Sequence, residues 1–489
     1  MSEYQQNDYE SYTTGKEGYV INGPTTINAG SKPTDSRVAG GNSTNRLFSL
    51  AASADYVYND TYILNATVRR DGSSRFGTNT KYGIFWGASA GWNIHNEKFF
   101  GDLSNTVNLL KLRLSAGTSG NDRIGLNPSK TLYGFSSYNG LNSSAPNQFG
   151  DPNLGWEENF TLGAGLEFAL FNSKVTGVFD YYRRNTTNLL LDVPITSTQG
   201  GGSITKNIGE IENSGFEFEL RTDVIRNENF KWNIGGSLSL YDNKVVKLVD
   251  ENDLFTAQNY YTGLRVGEEV HTFFLPRYAG VNPANGQALF LDVNDNITTQ
   301  SSGNEVFLSG KSPFAKLDGG VNTTMSYKGI YLNADLYYKA GNYIMNVVEQ
   351  QLLSDGTGAT SNQRVDAWNY WKQSGDVNVL PDPTANNPLR NEANGGSTRF
   401  LQKGDFIRLK NLQVGYQFPS EFLKKTPITE IKLYISGTIL WTYAPNYKGD
   451  PEVGIASGET TGTRGIPGEF SLNSYPTLSS YLFGVDIKF

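Results

Sequence analysis

The residues that could do chemistry are few, and their spacing argues against it. Gly87-Ala88-Ser89-Ala90-Gly91 has the G-x-S-x-G spacing of a hydrolase elbow. That elbow needs a strand, a sharp turn and a helix to expose the serine. Ser89 instead lies inside an alternating segment, with Trp86 and Trp92 on the opposite face, so a plain strand is expected. Asp292, Asn294 and Asp295 carry oxygen ligands suited to Ca²⁺, but their spacing departs from a calcium loop and favours a solvated turn. Glu157-Glu158 and Glu268-Glu269 are adjacent pairs, which in strands point to opposite faces, so neither forms a catalytic dyad. Cysteine is absent and histidine occurs only as His95 and His271. Disulfide frameworks and Cys-based metal sites are excluded, and a histidine-rich metal site is disfavoured. No catalytic residue, cofactor or metal is expected. The remaining candidates are aromatic: Trp368, Tyr370, Trp371, Tyr260 and Tyr261 sit in loop-like stretches. Their faces suit stacking on sugar rings, with loop or girdle packing as the competing reading.

The elements around these residues are alternating strands. The terminal segment places Tyr481, Phe483, Val485, Ile487 and Phe489 on one face, opposite Leu482, Gly484, Asp486 and Lys488. An outer-membrane barrel ends this way, with apolar residues toward lipid and polar residues toward the lumen. A terminal aromatic there resembles the signal read by the outer-membrane insertion machinery. The same period recurs at Phe48–Tyr58 and, after an expected two-residue turn at Asn59-Asp60, at Tyr62–Val68. It recurs again around Trp86, Leu112, Leu162, Phe218, Leu238, Val321, Leu336, Val414 and Leu433. Near Ile407–Leu412 the apolar phase slips by one, which predicts a β-bulge. These segments make about fourteen strands of an all-β, antiparallel transmembrane β-barrel, with residues 1–489 as one part-barrel domain. Polar stretches at 242–313, 343–403 and 443–478 read as long extracellular loops, and Tyr343–Leu353 as a short loop helix.

Composition agrees. Aromatic residues make up 13% of the 489-residue chain, while its mean hydropathy is −0.43. Aromatic girdles outside and polar groups inside would reconcile the two. No apolar run approaches a membrane helix, so a membrane location requires a closed barrel, the remaining way to satisfy every backbone group in lipid. A net charge of −7 argues against nucleic acid as a partner. Met1–Asp8 has neither a basic nor an apolar signal region, so the barrel reading expects the natural start to lie upstream.

Several passages together resemble the SusC/RagA type of TonB-linked outer-membrane transporter, in its carboxyl-terminal barrel portion. They are Asp71–Gly77 (DGSSRFG), Asp151–Glu157 (DPNLGWE), Tyr181–Leu190, Asn207–Glu217 (NIGEIENSGFE), residues 404–418, Tyr447–Glu452 (YKGDPE) and Tyr475 through Phe489. Phe85–Ser89 replaces a usual F-P-S-x-S, and Leu291–Asn296 shortens a D-x-N-G-D-G hairpin. The resemblance implies import of large nutrients, oligosaccharides or peptides, across the Gram-negative outer membrane. It implies a SusD-like surface lipoprotein as lid, energy from the TonB complex through an upstream plug, and contact with outer-membrane lipids. The alternatives are a passive porin or a non-functional fragment of a transporter. A part-barrel with two unmatched edges is expected to aggregate by itself.

Overall fold

The computed structural model describes residues 1–17, 32–33, 39–139, 141–199, 202–248, 254–255, 261–356, 362–383, 393–424, 426–452 and 476–489. Fourteen strands form one antiparallel sheet in chain order. They are β1 Ser2–Thr13, β2 Ala39–Tyr58, β3 Tyr62–Ser73, β4 Tyr82–Asn93, β5 Val107–Asn121, β6 Glu157–Leu170 and β7 Val175–Thr187. The second half comprises β8 Glu210–Arg226, β9 Phe230–Lys247, β10 Leu317–Tyr327, β11 Ile330–Ala340, β12 Phe406–Gln417, β13 Glu430–Tyr443 and β14 Ser480–Lys488. Among the described residues β1 and β14 each pair with one neighbour, so the sheet is an open wall.

Register explains why alternation was so legible. Tyr56, Leu64, Ala90, Leu114, Ala164, Tyr181, Phe216 and Leu240 stand opposite one another from β2 to β9, forming one continuous outward row. The next row, Asn65, Ser89, Ser115, Gly163 and Tyr182, faces inward. A one-residue slip anywhere would put polar groups in lipid, and this penalty holds the register across the wall.

Short turns occupy one end. The Asn59–Thr61 connection has three residues, not two: Asn59 and Asp60 are left-handed (φ 52° and 51°), and Thr61 N–H closes the turn on Tyr58 O at 3.0 Å. Thr61 is buried and its hydroxyl donates to Asn59 O, which accommodates the extra residue. Lys328-Gly329 links β10 to β11, and the tight Phe171–Lys174 turn links β6 to β7. Barrel turns of this kind face the periplasm, so the long connections lie outside the cell. Aromatic pairs mark this level: Tyr58 with Tyr62, Phe230 with Tyr327, and Tyr416 with Phe418.

The expected bulge is present. Asp335 faces Asn411 and Leu336 faces Leu409, leaving Lys410 unmatched on β12. On the other side Asn411 faces Thr438 while Leu409 faces Trp441, with Ile439 at φ 52°. Two boundaries differ from expectation. β9 runs on through Lys247, because Tyr241–Lys247 still ladder with β8 beyond the end of β10. Tyr343–Met345 is strand, pairing with Leu401–Lys403, and only Val347–Leu353 is helical (α1), capped by the Asn346 side chain.

Candidate functional site

Two of the long connections fold together into an extracellular block. Thr272–Val281 is the centre of its small sheet, flanked by Thr262–Leu264, Ala288–Leu291 and Glu305–Phe307. Phe273, Leu275 and Leu308 from this connection pack with Met345, Leu353 and Phe400 from the β11–β12 connection. The two are also joined by an ion pair between Arg399 and Asp355, buried on both sides, with the guanidinium over the Tyr278 ring. A buried pair of this kind fixes geometry more than it adds stability.

Trp368 and Tyr370 share a small cleft of about 100 Å³ with Leu353, Asp355, Pro381 and Pro383. Trp368 is 73% exposed, whereas Tyr370 is half-buried beneath Lys372. Trp371 lies across the 282–286 turn, its Nε1 donating to Pro283 O at 2.9 Å and its ring occupying the space beside Gly286. Tyr261 packs against the loop core and over Gly396. Tyr260 lies outside the described residues. Trp368 therefore presents its ring to solvent, Tyr370 is partly covered, and Trp371 and Tyr261 mainly hold the block together.

The inner wall carries polar side chains. Ser89 lies in an open cleft of about 660 Å³ with Asn65, Thr67, Ser115 and Ser119. No histidine lines that cleft among the described residues, and Asp71 in it is engaged by Arg69 at 2.6 Å. Further round, Arg113 holds Glu167 at 2.8 Å and Asp180 at 3.0 Å. The 292–296 turn is self-contained: Asp292 Oδ1 accepts N–H groups of Asn294 and Asn296, both at 2.8 Å, and Arg277 engages Asp295. Those N–H bonds, chiefly that of Asn296, hold the Asp292 carboxyl below its usual range. No group of three or more acidic, His or Cys side chains suited to a metal occurs among the described residues. Glu157 accepts from Asn121, while Glu269 pairs with Lys316.

What sequence reading missed is that its motifs dock on each other. Leu154 is fully buried, and its carbonyl accepts from Gly77 N–H at 2.9 Å and Thr80 Oγ1 at 2.6 Å. The backbones approach so closely that a Cβ on Gly77 would stand 1.8 Å from Pro152 O. Trp156 wedges between Phe76 and Phe85 and donates to Lys81 O. Asn207 then ties in the third motif, accepting from Gly155 N–H and donating to Gly155 O. A second clamp joins residues 404–418 to Tyr447–Glu452. Arg408, 2% exposed, engages Asp450 at 2.5 Å and Glu452, and Lys410 reaches Glu452 at 2.7 Å. Arg408 and Lys410, two residues apart on β12, reach the same loop. Burial works against ionisation of Asp450, but Arg408 and the N–H groups of Thr477 and Glu452 outweigh it, and its pKa lies below the usual value.

A family model described as TonB dependent receptor-like, beta-barrel matches residues 2–438. TonB-dependent receptor P3 of Formosa agariphila is 31% identical, over 91% of this chain and 45% of that protein. TonB-dependent receptor SusC of Bacteroides thetaiotaomicron is 27% identical, over 91% of this chain and 44% of its own length. The chain thus spans about half the length of the curated relatives it matches. Among solved structures, that of the RagAB peptide transporter superposes with a TM-score of 0.85 at 23% identity, covering 99% of this chain and 52% of that one.

Proposed function

From the premise that the chain belongs to the TonB-dependent receptor-like β-barrel family of the outer membrane, we propose that it forms wall and mouth of an importer for large nutrients, oligosaccharides or peptides. The observation that carries this is the division of the wall: one apolar face for lipid, one polar face for a passage, and a folded extracellular block above the passage. Energy comes from the TonB complex acting through a plug, and a SusD-like lipoprotein closes the mouth. The names SusC and RagAB support the substrate class and the two-protein assembly. Trp368 and Tyr370 are the proposed loop contacts for substrate, since they share one cleft and the Trp368 ring is exposed. The row Tyr481, Phe483, Val485, Ile487 and Phe489 is the proposed assembly signal, because β14 is an edge strand whose apolar side chains are exposed for pairing and recognition.

The test is uptake. Cells carrying the natural full-length protein are supplied with fluorescent oligosaccharides and peptides, with and without TonB. Accumulation that depends on both the protein and TonB is expected. Equal uptake without TonB would return the passive-porin reading.

A further inference from the structure

Arg70 stands where an arginine is costly. Its cross-strand neighbours are Leu50 on β2 and Ile84 on β4, and all three belong to the outward face. Leu50 and Ile84 are exposed, and Val68 precedes Arg70 on the same row. This face meets lipid, where a guanidinium is destabilising unless it reaches headgroups or an opposite charge. The adjacent Arg69 faces inward and is satisfied by Asp71 and Ser49. No ion pair involves Arg70 among the described residues; its contact is the Tyr82 ring, 4.5 Å from the centroid.

That contact sets a direction. Tyr82 pairs with Gly72, two residues closer to the extracellular end than Arg70. Its ring lies across Gly72, where a Cβ would stand 2.5 Å from Tyr82 Cε1. The guanidinium over this ring is therefore lifted from the Leu50–Ile84 level toward the outer headgroups, as a snorkelling side chain must be. Higher on β2, Arg46 donates to Gln6 at 3.1 Å and has Asp8 as an electrostatic neighbour. Among the described residues no acid is paired with Arg70.

We propose that Arg70, steered by Tyr82 across Gly72, binds the phosphate of an outer-leaflet lipid. A guanidinium offers a planar fork to phosphate oxygens, and the interaction strengthens at the edge of hydrocarbon. The lipid's acyl chains then lie against Leu50, Ile84 and Val68, continuous with the wall's lipid face. The assignment rests on the outer-membrane orientation with the long loops outside.

The experiment uses the natural full-length protein, purified as wild type, R70Q, R70K and Y82L, in nanodiscs containing lipid A with its phosphates or after enzymatic dephosphorylation. Retained lipid is counted by native mass spectrometry. Wild type should hold phosphorylated lipid A about tenfold better than R70Q, the loss expected for one charge-assisted contact. Dephosphorylation should abolish that difference. R70K should fall between, since it keeps the charge without the fork, and Y82L should weaken retention with the charge intact. Equal retention by wild type and R70Q, or retention indifferent to phosphate, overturns the proposal. Displacement by millimolar inorganic phosphate would make this a soluble-anion site and overturn the lipid assignment. Should R70Q fail to assemble, R70K and Y82L carry the same comparison. Orientation is checked separately: labelling of the Lys328→Cys variant by an impermeant thiol reagent in intact cells would overturn the premise and not the phosphate chemistry.

Discussion

Phe483 in the wall is 68% exposed and Ile435 beside it 61%, whereas Phe400 in the extracellular block is 0% exposed and Phe273 1%. The same residue types are used in opposite ways a few nanometres apart. The block buries its apolar groups against each other, as any water-soluble domain does. The wall leaves them on its surface, because hydrocarbon covers them and only the backbone must be satisfied internally. The wall's stability is therefore conditional on lipid, and the block's is not.

Core truncation should separate the two regions most sharply. Phe400→Ala should cost the block about 3–5 kcal/mol while the wall still assembles. Proteolysis of the 341–405 connection should rise with unchanged heat modifiability on gels; a lost barrel band would show that the block is not independent. Removing the buried cation at the rim comes next. Arg408→Ala leaves Asp450 without its cation and Glu452 with Lys410 alone, and should cost about 3 kcal/mol. Hydrogen exchange should then quicken in residues 444–452 and not in the Leu154–Trp156 lock. The wall should respond to charge as the block does not: Ile435→Arg should destabilise the protein by about 2–4 kcal/mol in lipid. Urea titrations in vesicles read this directly, and a cost near zero would place that face in water.

Acid offers a milder probe of the rim. The folded-state pKa of Asp450 is depressed, so its contribution is present above the unfolded value and lost as pH falls through the folded one. The clamp should hold at neutral pH and loosen below about pH 4. Fluorescence of Trp441, on β13 beside the clamp, should report the change, and Arg408→Ala should remove it. The smallest structural effect belongs to Trp368→Ala, within about 0.5 kcal/mol for so exposed a side chain. Its expected consequence is weaker binding of the imported substrate, measured by calorimetry; unchanged affinity would end its role as a contact.

Alternation by itself determined the wall. Tyr62, Leu64, Ala66 and Val68, or Ile431, Leu433 and Ile435, can face one way only when the period is two, and lipid on one side makes that period strict. The slip at Ile407–Leu412 was legible for the same reason. The block was not, since its core residues Phe273, Met345 and Phe400 come from separate connections with no shared period. Nor was the role of Trp371, whose indole is committed to Pro283 O by a contact 88 residues away. The motifs at 71–77, 151–157 and 207 were visible as strings, but only the tertiary structure brought Gly77, Leu154 and Asn207 into one lock. Periodicity is a local property written along the chain, whereas docking between loops depends on where fourteen strands deliver their ends.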